Sequence, residues 1–572
     1  MKNSVLTIKP ALCFIFALCL TQWSYAAEVS GTVGDEFEIA ATNLSEWMPT
    51  LEYNSVDDEF LVLWYASGIR EQDGPVKYSF HGRRVSTAGA LLGEQFSPVD
   101  YEDTDLGILP TPVFNPGKNE YMVAYHLARA ATGVDILVNI TDNLGAITFG
   151  PLALSEDPSN QIHPAIVFNS KKKEYFVAFN DSRYGESDIF GVILDESGTI
   201  IKPEFLVNSA DGGQINPHAC YNPTDDTYLV NWEDFRNVDD WQANSDIYGA
   251  LLDGSGNVLV NDIPMRDDFG TNDEGDQRHN NIVYNPDKNE FIAVWSDNGR
   301  PSLQNGGAVG IVVNADGSLA DSEIIICDKA GFQMFPHLVY VPGKQMYFAV
   351  WEDGRNNNDP DGLYWRDAEN WDIYAAWLDP SGNAVGDEIA VCTKQGVQRY
   401  SKVSYASQSD KFLIAWQDVV EETGWGEGGE QHVTEEGGNI MGAVYEVAPD
   451  SDCPLALSIE NENTLDMLRA FRDGYLKKSA NRDLVRMYYE SAGEISSILK
   501  KNPHMIQAVR KLVAENIFCI PRLLLTGRAL PDSAAIGDIS AFLNRLKTKG
   551  SNRLGKHIDI LSTGLQNGSL FR

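Results

Sequence analysis

Pro217-His218-Ala219-Cys220-Tyr221-Asn222-Pro223, then Tyr228-Leu229-Val230-Asn231-Trp232-Glu233-Asp234-Phe235-Arg236, then Asp246-Ile247-Tyr248-Gly249-Ala250-Leu251-Leu252-Asp253, and last Gly256-Asn257-Val258-Leu259 form one complete copy of a unit that recurs from Glu46 to Val447. Each of the four runs is rich in β-branched or aromatic residues with a period of two, and Asn-Pro, Asp-Gly or Ser-Gly pairs stand between them. Such alternation places successive side chains on opposite faces of a pleated strand, and the intervening residues supply the backbone angles of tight reversals. One unit is therefore a four-stranded antiparallel sheet. Repetition along some four hundred residues makes the fold a stack or a ring of these sheets.

Two markers count the units. An aromatic ends the second run at Trp64, Tyr125, Phe179, Trp232, Trp295, Trp351 and Trp416, about 59 residues apart on average. That is longer than a WD40 blade of about 40–45 residues. A glycine opens the fourth run at Gly31, Gly89, Gly145, Gly198, Gly256, Gly317 and Gly382. The two series are out of phase: the first glycine precedes the first aromatic, and the last unit stops after its third run at Met441-Gly442-Ala443-Val444-Tyr445. Gly31-Thr32-Val33-Gly34-Asp35-Glu36 also echoes Gly382-Asn383-Ala384-Val385-Gly386-Asp387-Glu388. Residues 31–40 are thus predicted to complete the last sheet, which closes a ring and removes an exposed edge. The expected fold is an all-β, seven-bladed β-propeller over residues 27–452, followed by a small all-α domain over 453–572.

Lys2 and Lys9 precede an apolar run from Ala11 to Leu20 and the small-residue site Ser24-Tyr25-Ala26. This reads as a signal peptide, residues 1–26, so the mature chain is expected to be secreted, periplasmic or on the cell surface. No later stretch is long and apolar enough for a transmembrane segment. Residues 27–452 carry 24 Lys/Arg against 71 Asp/Glu, a net of −47, whereas residues 453–572 carry 18 against 11, a net of +7. The acidic part would repel nucleic acid and anionic lipid and favours cations or neutral ligands. Plain solubility in salt water explains the same charge. The basic tail is expected either to dock on the acidic ring or to reach another anionic surface. Cys453 and Cys519 are the disulfide candidates, while Cys327 and Cys392 fill one slot of successive units and read as buried small residues.

The signature Trp232-Glu233-Asp234-Phe235-Arg236 with Asp246-Ile247-Tyr248 returns as Trp351-Glu352-Asp353-Gly354-Arg355 with Asp372-Ile373-Tyr374, and nearly as Phe179-Asn180-Asp181-Ser182-Arg183 with Asp188-Ile189-Phe190. Over residues 30–448 the chain resembles secreted bacterial and archaeal propellers with W-x-D-x-R and D-I-Y blades, related in style to TolB-type blades. That resemblance implies the fold and little about activity. Blades one, two, five and seven depart from it, blade seven keeping Trp416-Gln417-Asp418 without the arginine. After Asp452 apolar residues take helical spacing, as at Leu465, Leu468, Phe471 and Tyr475. The stretch Leu468-Arg469-Ala470-Phe471-Arg472-Asp473 with Leu484-Val485-Arg486-Met487-Tyr488-Tyr489 resembles the CFI-box C-terminal domain of secreted bacterial proteins, although Cys453 is followed by Pro454-Leu455-Ala456.

Chemistry is expected on the face shared by the loops that enter the first strand and those joining the second to the third. Trp241, Tyr364, Trp365, Trp371 and Trp425 fall in long loops there, and exposed aromatics on a rigid scaffold suit sugar stacking. Packing of these rings within their own loops is the alternative. The pairs Asp181 and Arg183, Asp234 and Arg236, and Asp353 and Arg355 read as structural ion pairs, because a catalytic group rarely recurs in blade after blade. Asn357, Asp359 and Asp361 have the alternating oxygen spacing of a calcium loop. His163, Asn216 and His279 stand at the entry to the first strand, with His218 and His337 two residues beyond, where imidazoles could converge on a metal or serve as hydrogen-bonded structural groups. No sialidase Asp-box, G-x-S-x-G or P-loop is present. The expected function is a non-catalytic binding or scaffold protein for an extracellular saccharide or envelope protein; the alternative is a carbohydrate-active hydrolase or lyase using carboxylates of this face.

Overall fold

The structure, a computed structural model, describes residues 31–447 except 41–44, 68–77, 100–106, 130–132, 156, 238–244, 268–274, 299–302, 304–305, 357–369 and 420–437, together with 544–545 and 547–549. Seven antiparallel sheets follow one another: blade 1 (45–96), blade 2 (107–153), blade 3 (161–208), blade 4 (214–266), blade 5 (276–327), blade 6 (333–392) and blade 7 (397–447). The quoted unit is blade 4, whose strands are Gln214–Asn222, Thr227–Asp234, Asp246–Asp253 and Val258–Arg266. First strands touch the first strands of both neighbouring blades all round, blade 7 to blade 1 included, so they surround the axis.

Closure takes the predicted residues but splits them. Gly31–Val33 and Phe37–Ala40 both pair antiparallel with Gly438–Val447, Gly31 opposite Val447 and Phe37 opposite Gly442. Phe37 lies against Gly89 of blade 1 just as Phe96, Phe149 and Phe205 lie against Gly145, Gly198 and Gly256 of the blades that follow theirs. The N-terminal segment therefore does for blade 7 what an outer strand does elsewhere.

The glycine marker needs one correction. Gly89, Gly145, Gly198, Gly256, Gly317 and Gly382 have φ of 75–93° in the turn before the fourth strand, a conformation that costs glycine little. Asp142, Asp195, Asp253 and Asp379 fasten four of these turns by accepting two backbone N–H groups each. Gly31 sits inside a strand instead, so its likeness to Gly382 is one of sequence and not of conformation.

The core lies in the seams between blades. All seven marker aromatics are buried, and the apolar clusters join consecutive blades: Tyr175 and Phe179 pack with Met122 and Val138, and Trp295 packs with Leu251 and Ile263. Among the described residues no helix is long and apolar enough to cross a membrane. Residues 1–26, Cys453, Cys519 and the expected helical domain lie outside the described residues, apart from 544–545 and 547–549, which are helical.

Candidate functional site

Every innermost strand breaks register at one place: between Trp47 and Thr50, Ile108 and Thr111, Ile162 and Ala165, Ile215 and His218, Arg278 and Asn281, Met334 and His337, and Arg399 and Lys402. One extra residue stands in each break, which makes it a β-bulge that re-aims a side chain. Met48, His163, Asn216, His279, Phe335 and Tyr400 occupy these positions with φ of 47–57°. Left-handed backbone at a non-glycine residue costs of order 1–3 kcal/mol and persists only where neighbours hold it.

The hold comes from the preceding blade. The residue after its marker aromatic accepts the bulge N–H: His126 Nδ1 from His163 at 3.3 Å, a Glu233 carboxylate oxygen from His279 at 2.9 Å, Ser296 Oγ from Phe335 at 2.9 Å, and Glu352 from Tyr400. Burial pushes the Glu233 and Glu352 carboxyls up to about 7 and the His126 and His279 imidazoles down to about 3. The histidines are thus neutral near pH 7.

Three successive bulge side chains touch as rings. His279 stacks on Phe335 with centroids 3.6 Å apart and planes 24° apart, and Phe335 meets Tyr400 edge-on at 5.0 Å. All three are partly exposed. They form an aromatic arc facing the axis, at the end of the first strands on the face where second strands pass to third strands. Two residues along each first strand lies a second belt: Thr50, Thr111, Ala165, His218, Asn281, His337 and Lys402. Thr50 and Thr111 donate their hydroxyls to the Pro110 and Pro164 carbonyls at 2.7 and 3.2 Å. Burial lowers Lys402 to about 8. His218 falls to about 3 through burial and the Lys402 charge, and His337 is driven well below its ordinary value for the same reasons. Among the described residues no three His, Cys, Asp or Glu side chains come together as a metal site.

The recurring Asp and Arg belong to the blades themselves. Asp181, Asp234 and Asp353 pair with Arg183, Arg236 and Arg355 at 2.6, 2.7 and 2.5 Å, and each aspartate is fully buried. The guanidinium lies over Phe190, Tyr248 or Tyr374 at 4.4, 3.8 and 4.2 Å, and also reaches Glu204, Asp262 or Glu388. Trp232 and Trp351 donate their indole N–H to Asp234 and Asp353 at 2.8 Å. In the two full copies the signature is thus one hydrogen-bonded unit in which Trp and Arg satisfy an Asp and Tyr covers the Arg. In blade 7, lacking the arginine, Asp418 takes a hydrogen bond from Gln398 at 3.2 Å.

Trp371 is not the exposed platform expected of it. Only 1% of it is exposed, and it packs on Met334 and Val397, bridging to Val397 of blade 7. Its position one residue before the third strand turns the ring into the seam. Trp241, Tyr364, Trp365 and Trp425, and the calcium candidates Asn357, Asp359 and Asp361, lie outside the described residues. Cys327 and Cys392 are free and buried. Sequence reading found His163, Asn216 and His279 but passed over Phe335, Tyr400, Glu233, Glu352 and Lys402. A usable signal was the recurring X-Pro pair at the bulge, as in Met48-Pro49, Leu109-Pro110, His163-Pro164, Asn216-Pro217 and Phe335-Pro336.

No family model matches the chain, and no curated protein matches it. Among solved structures it is similar to Kuenenia stuttgartiensis hydrazine synthase (13% identity, 66% of this chain and 95% of that one, TM-score 0.40). It is also similar to the Dos1 propeller (9% identity, 73% and 96%, TM-score 0.40) and to the Penicillium chrysogenum α-L-arabinanase complexed with arabinobiose (10% identity, 73% and 99%, TM-score 0.37). Likenesses this distant assign no activity to the chain.

Proposed function

We propose that this chain is an exported, non-catalytic binding protein of the cell envelope or its surroundings that takes a saccharide at the mouth of the axial channel. The carrying observation is the arc His279, Phe335 and Tyr400, three partly exposed rings in contact on neighbouring strands. Aromatic faces offer large apolar area with polar edges, a match for the C–H faces and hydroxyl rim of a sugar ring. The rings stand on strands rather than loops, and the clamped bulges pre-organise them. A net charge of −47 on residues 27–452 disfavours nucleic acid and leaves neutral or lightly charged ligands.

A second reading, hydrolysis, draws on Glu233 and Glu352, whose carboxyls near 7 lie in the range of a general acid. Yet His126 and Ser296 do the same backbone work in the same slot. The first task of the two glutamates is therefore to hold the bulge, and binding without chemistry is preferred. A glycan array followed by calorimetry on the hits tests this. Phe335→Ala and Tyr400→Ala should each weaken binding at least tenfold while melting stays within a few degrees. A native protein that binds no glycan, or alanine variants that bind as well as the native chain, would overturn the reading. Release of reducing ends by the native protein but not by Glu352→Gln would establish the hydrolase instead.

A further inference from the structure

We infer that the saccharide carries a single carboxylate, as a uronic acid does, and that the Lys402 ammonium receives it one step below the aromatic arc. This rests on the saccharide reading above and adds the class of sugar. Lys402, His337, Asn281 and His218 stand at one register on the innermost strands of blades 7, 6, 5 and 4, opposite Ala415, Val350, Val294 and Asn231. Each is partly exposed, and each lies two residues beyond a bulge. The Lys402 charge is felt by His218, His279 and His337. Blades 4 and 7 are not neighbours, yet the Lys402 charge still acts on His218.

The ammonium itself makes no hydrogen bond with a described residue; the Glu352 carboxylate acts on it only through space. Glu352 is already engaged by the Tyr400 N–H and by the charge of Arg399. His337 Nδ1 is buried with no hydrogen-bond partner. The belt thus offers a carboxylate one half-buried cation, with a neighbouring imidazole nitrogen that donates to the second oxygen in its N–H tautomer. Thr50, Thr111, Ala165 and Asn281, the rest of the belt, bring no charge.

Charge balance limits the ligand to one negative charge. The imidazoles are neutral, so the belt supplies a single positive charge. Glu352, on the second strand of blade 6, acts on Lys402 through space and would oppose a doubly charged phosphate or a polyanion. Lys402 lies two residues beyond Tyr400 on the same strand, so the carboxylate of a sugar resting on Phe335 and Tyr400 would have to turn toward the belt to meet it. The groups facing Lys402 are Glu352, His218, His279 and His337; the three imidazoles are neutral, and the Glu352 carboxyl, raised to about 7 by burial, is about half protonated at pH 7. Lys402 loses its proton above about 8, and affinity for the carboxylate should fall with it.

The test is calorimetry on the full mature chain with three probes: glucuronosyl-xylose, its methyl ester, and acetate. At pH 7 the acid should bind at least tenfold more tightly than the ester, and the preference should fade above about pH 8 by roughly tenfold per unit. Lys402→Met should bring the ratio of acid to ester close to one, and Lys402→Arg should restore part of it, with thermal melts recording that each variant folds. Equal binding of acid and ester by the native chain overturns the inference, as does a preference that survives in Lys402→Met. Acetate binding as tightly as the disaccharide overturns the uronate and leaves a site for small acids. If Phe335→Ala abolishes binding of both sugars while Lys402→Met alters nothing, the saccharide site stands and the carboxylate falls; if the native chain binds neither sugar, the saccharide reading falls with it.

Discussion

Deleting residues 31–40 removes both short strands that pair with Gly438–Val447, and the structure gives the size of the loss. Ile39 and Ala40 are 3% and 4% exposed, and they share a seam with Trp64, Val85 and Ile440, on which Phe37 and Val444 also pack. Full burial of an isoleucine contributes about 1.5–3 kcal/mol; with half-buried Phe37, Ala40 and the newly wetted Ile440 and Val444, the total reaches about 6 kcal/mol. A ring of about 400 residues unfolds with an entropy near 2 cal/mol/K per residue, so that loss lowers the melting temperature by about 7 °C. Since domains hold only about 5–15 kcal/mol, such a deletion removes a large part of the total. Ile39→Ala is the graded version, at about 2–4 kcal/mol. Scanning calorimetry of the mature chain reads both. A deletion variant that melts within about 1 °C of the native protein, equally cooperatively, refutes closure by this segment.

Asp234→Ala should cost about 3–5 kcal/mol in urea unfolding, because it leaves the Arg236 guanidinium and the Trp232 indole N–H without their shared acceptor; a loss below about 1 kcal/mol would deny the pair its structural role. Glu352, raised by burial to about 7 from 4.5, binds its proton more tightly folded than unfolded, so its contribution is present below about 4.5 and is lost as pH rises through 7. Glu352→Gln should therefore gain stability on the native chain between those values, by up to about 3 kcal/mol, and a difference curve flat in pH contradicts it. Millimolar calcium should raise the melting temperature, and Asp359→Ala with Asp361→Ala should abolish most of the rise; no shift in the native chain removes calcium at this loop. Residues 453–572, expressed separately, should bind the isolated ring at 0.1 M salt and release it at 1 M, as the Debye length falls from about 10 to about 3 Å; binding to anionic vesicles and not to the ring would make the tail a surface anchor.

What was legible in the sequence is what the chain decides locally. Asp253-Gly254-Ser255-Gly256-Asn257 writes its own turn, since the Asp253 side chain and the left-handed Gly256 act within five residues. Closure was legible because two local markers ran out of phase. Trp371 misled because its burial depends on Met334 and Val397, brought there by neighbouring strands and the next blade. Phe335 and Tyr400 each read as one more strand aromatic; only the ring brings residues 65 apart in sequence into edge contact. Glu233 and Glu352 stood in the variable place of W-x-D-x-R, and their partners are N–H groups of the following blade.

The bulges separate construction from recognition. Where a position serves the blade alone, its side chain recurs: Asp and Arg in the signature, glycine in the outer turn, an aromatic at the seam. At the bulge the backbone recurs while the side chain changes from Met48 to His163, Asn216, His279, Phe335 and Tyr400. Glycine would adopt the same φ at almost no cost, so a device needed only to bend the strand would be expected to carry it. Five residue types at six positions accept the strain instead, and the acceptors His126, Glu233, Ser296 and Glu352 are spent on holding four of them in place. Strain kept at a constant geometry with a varied chemical surface is what a ligand-facing wall requires. On that ground the proposed ligand site is the bulge arc, with Lys402 and His337 two residues beyond it.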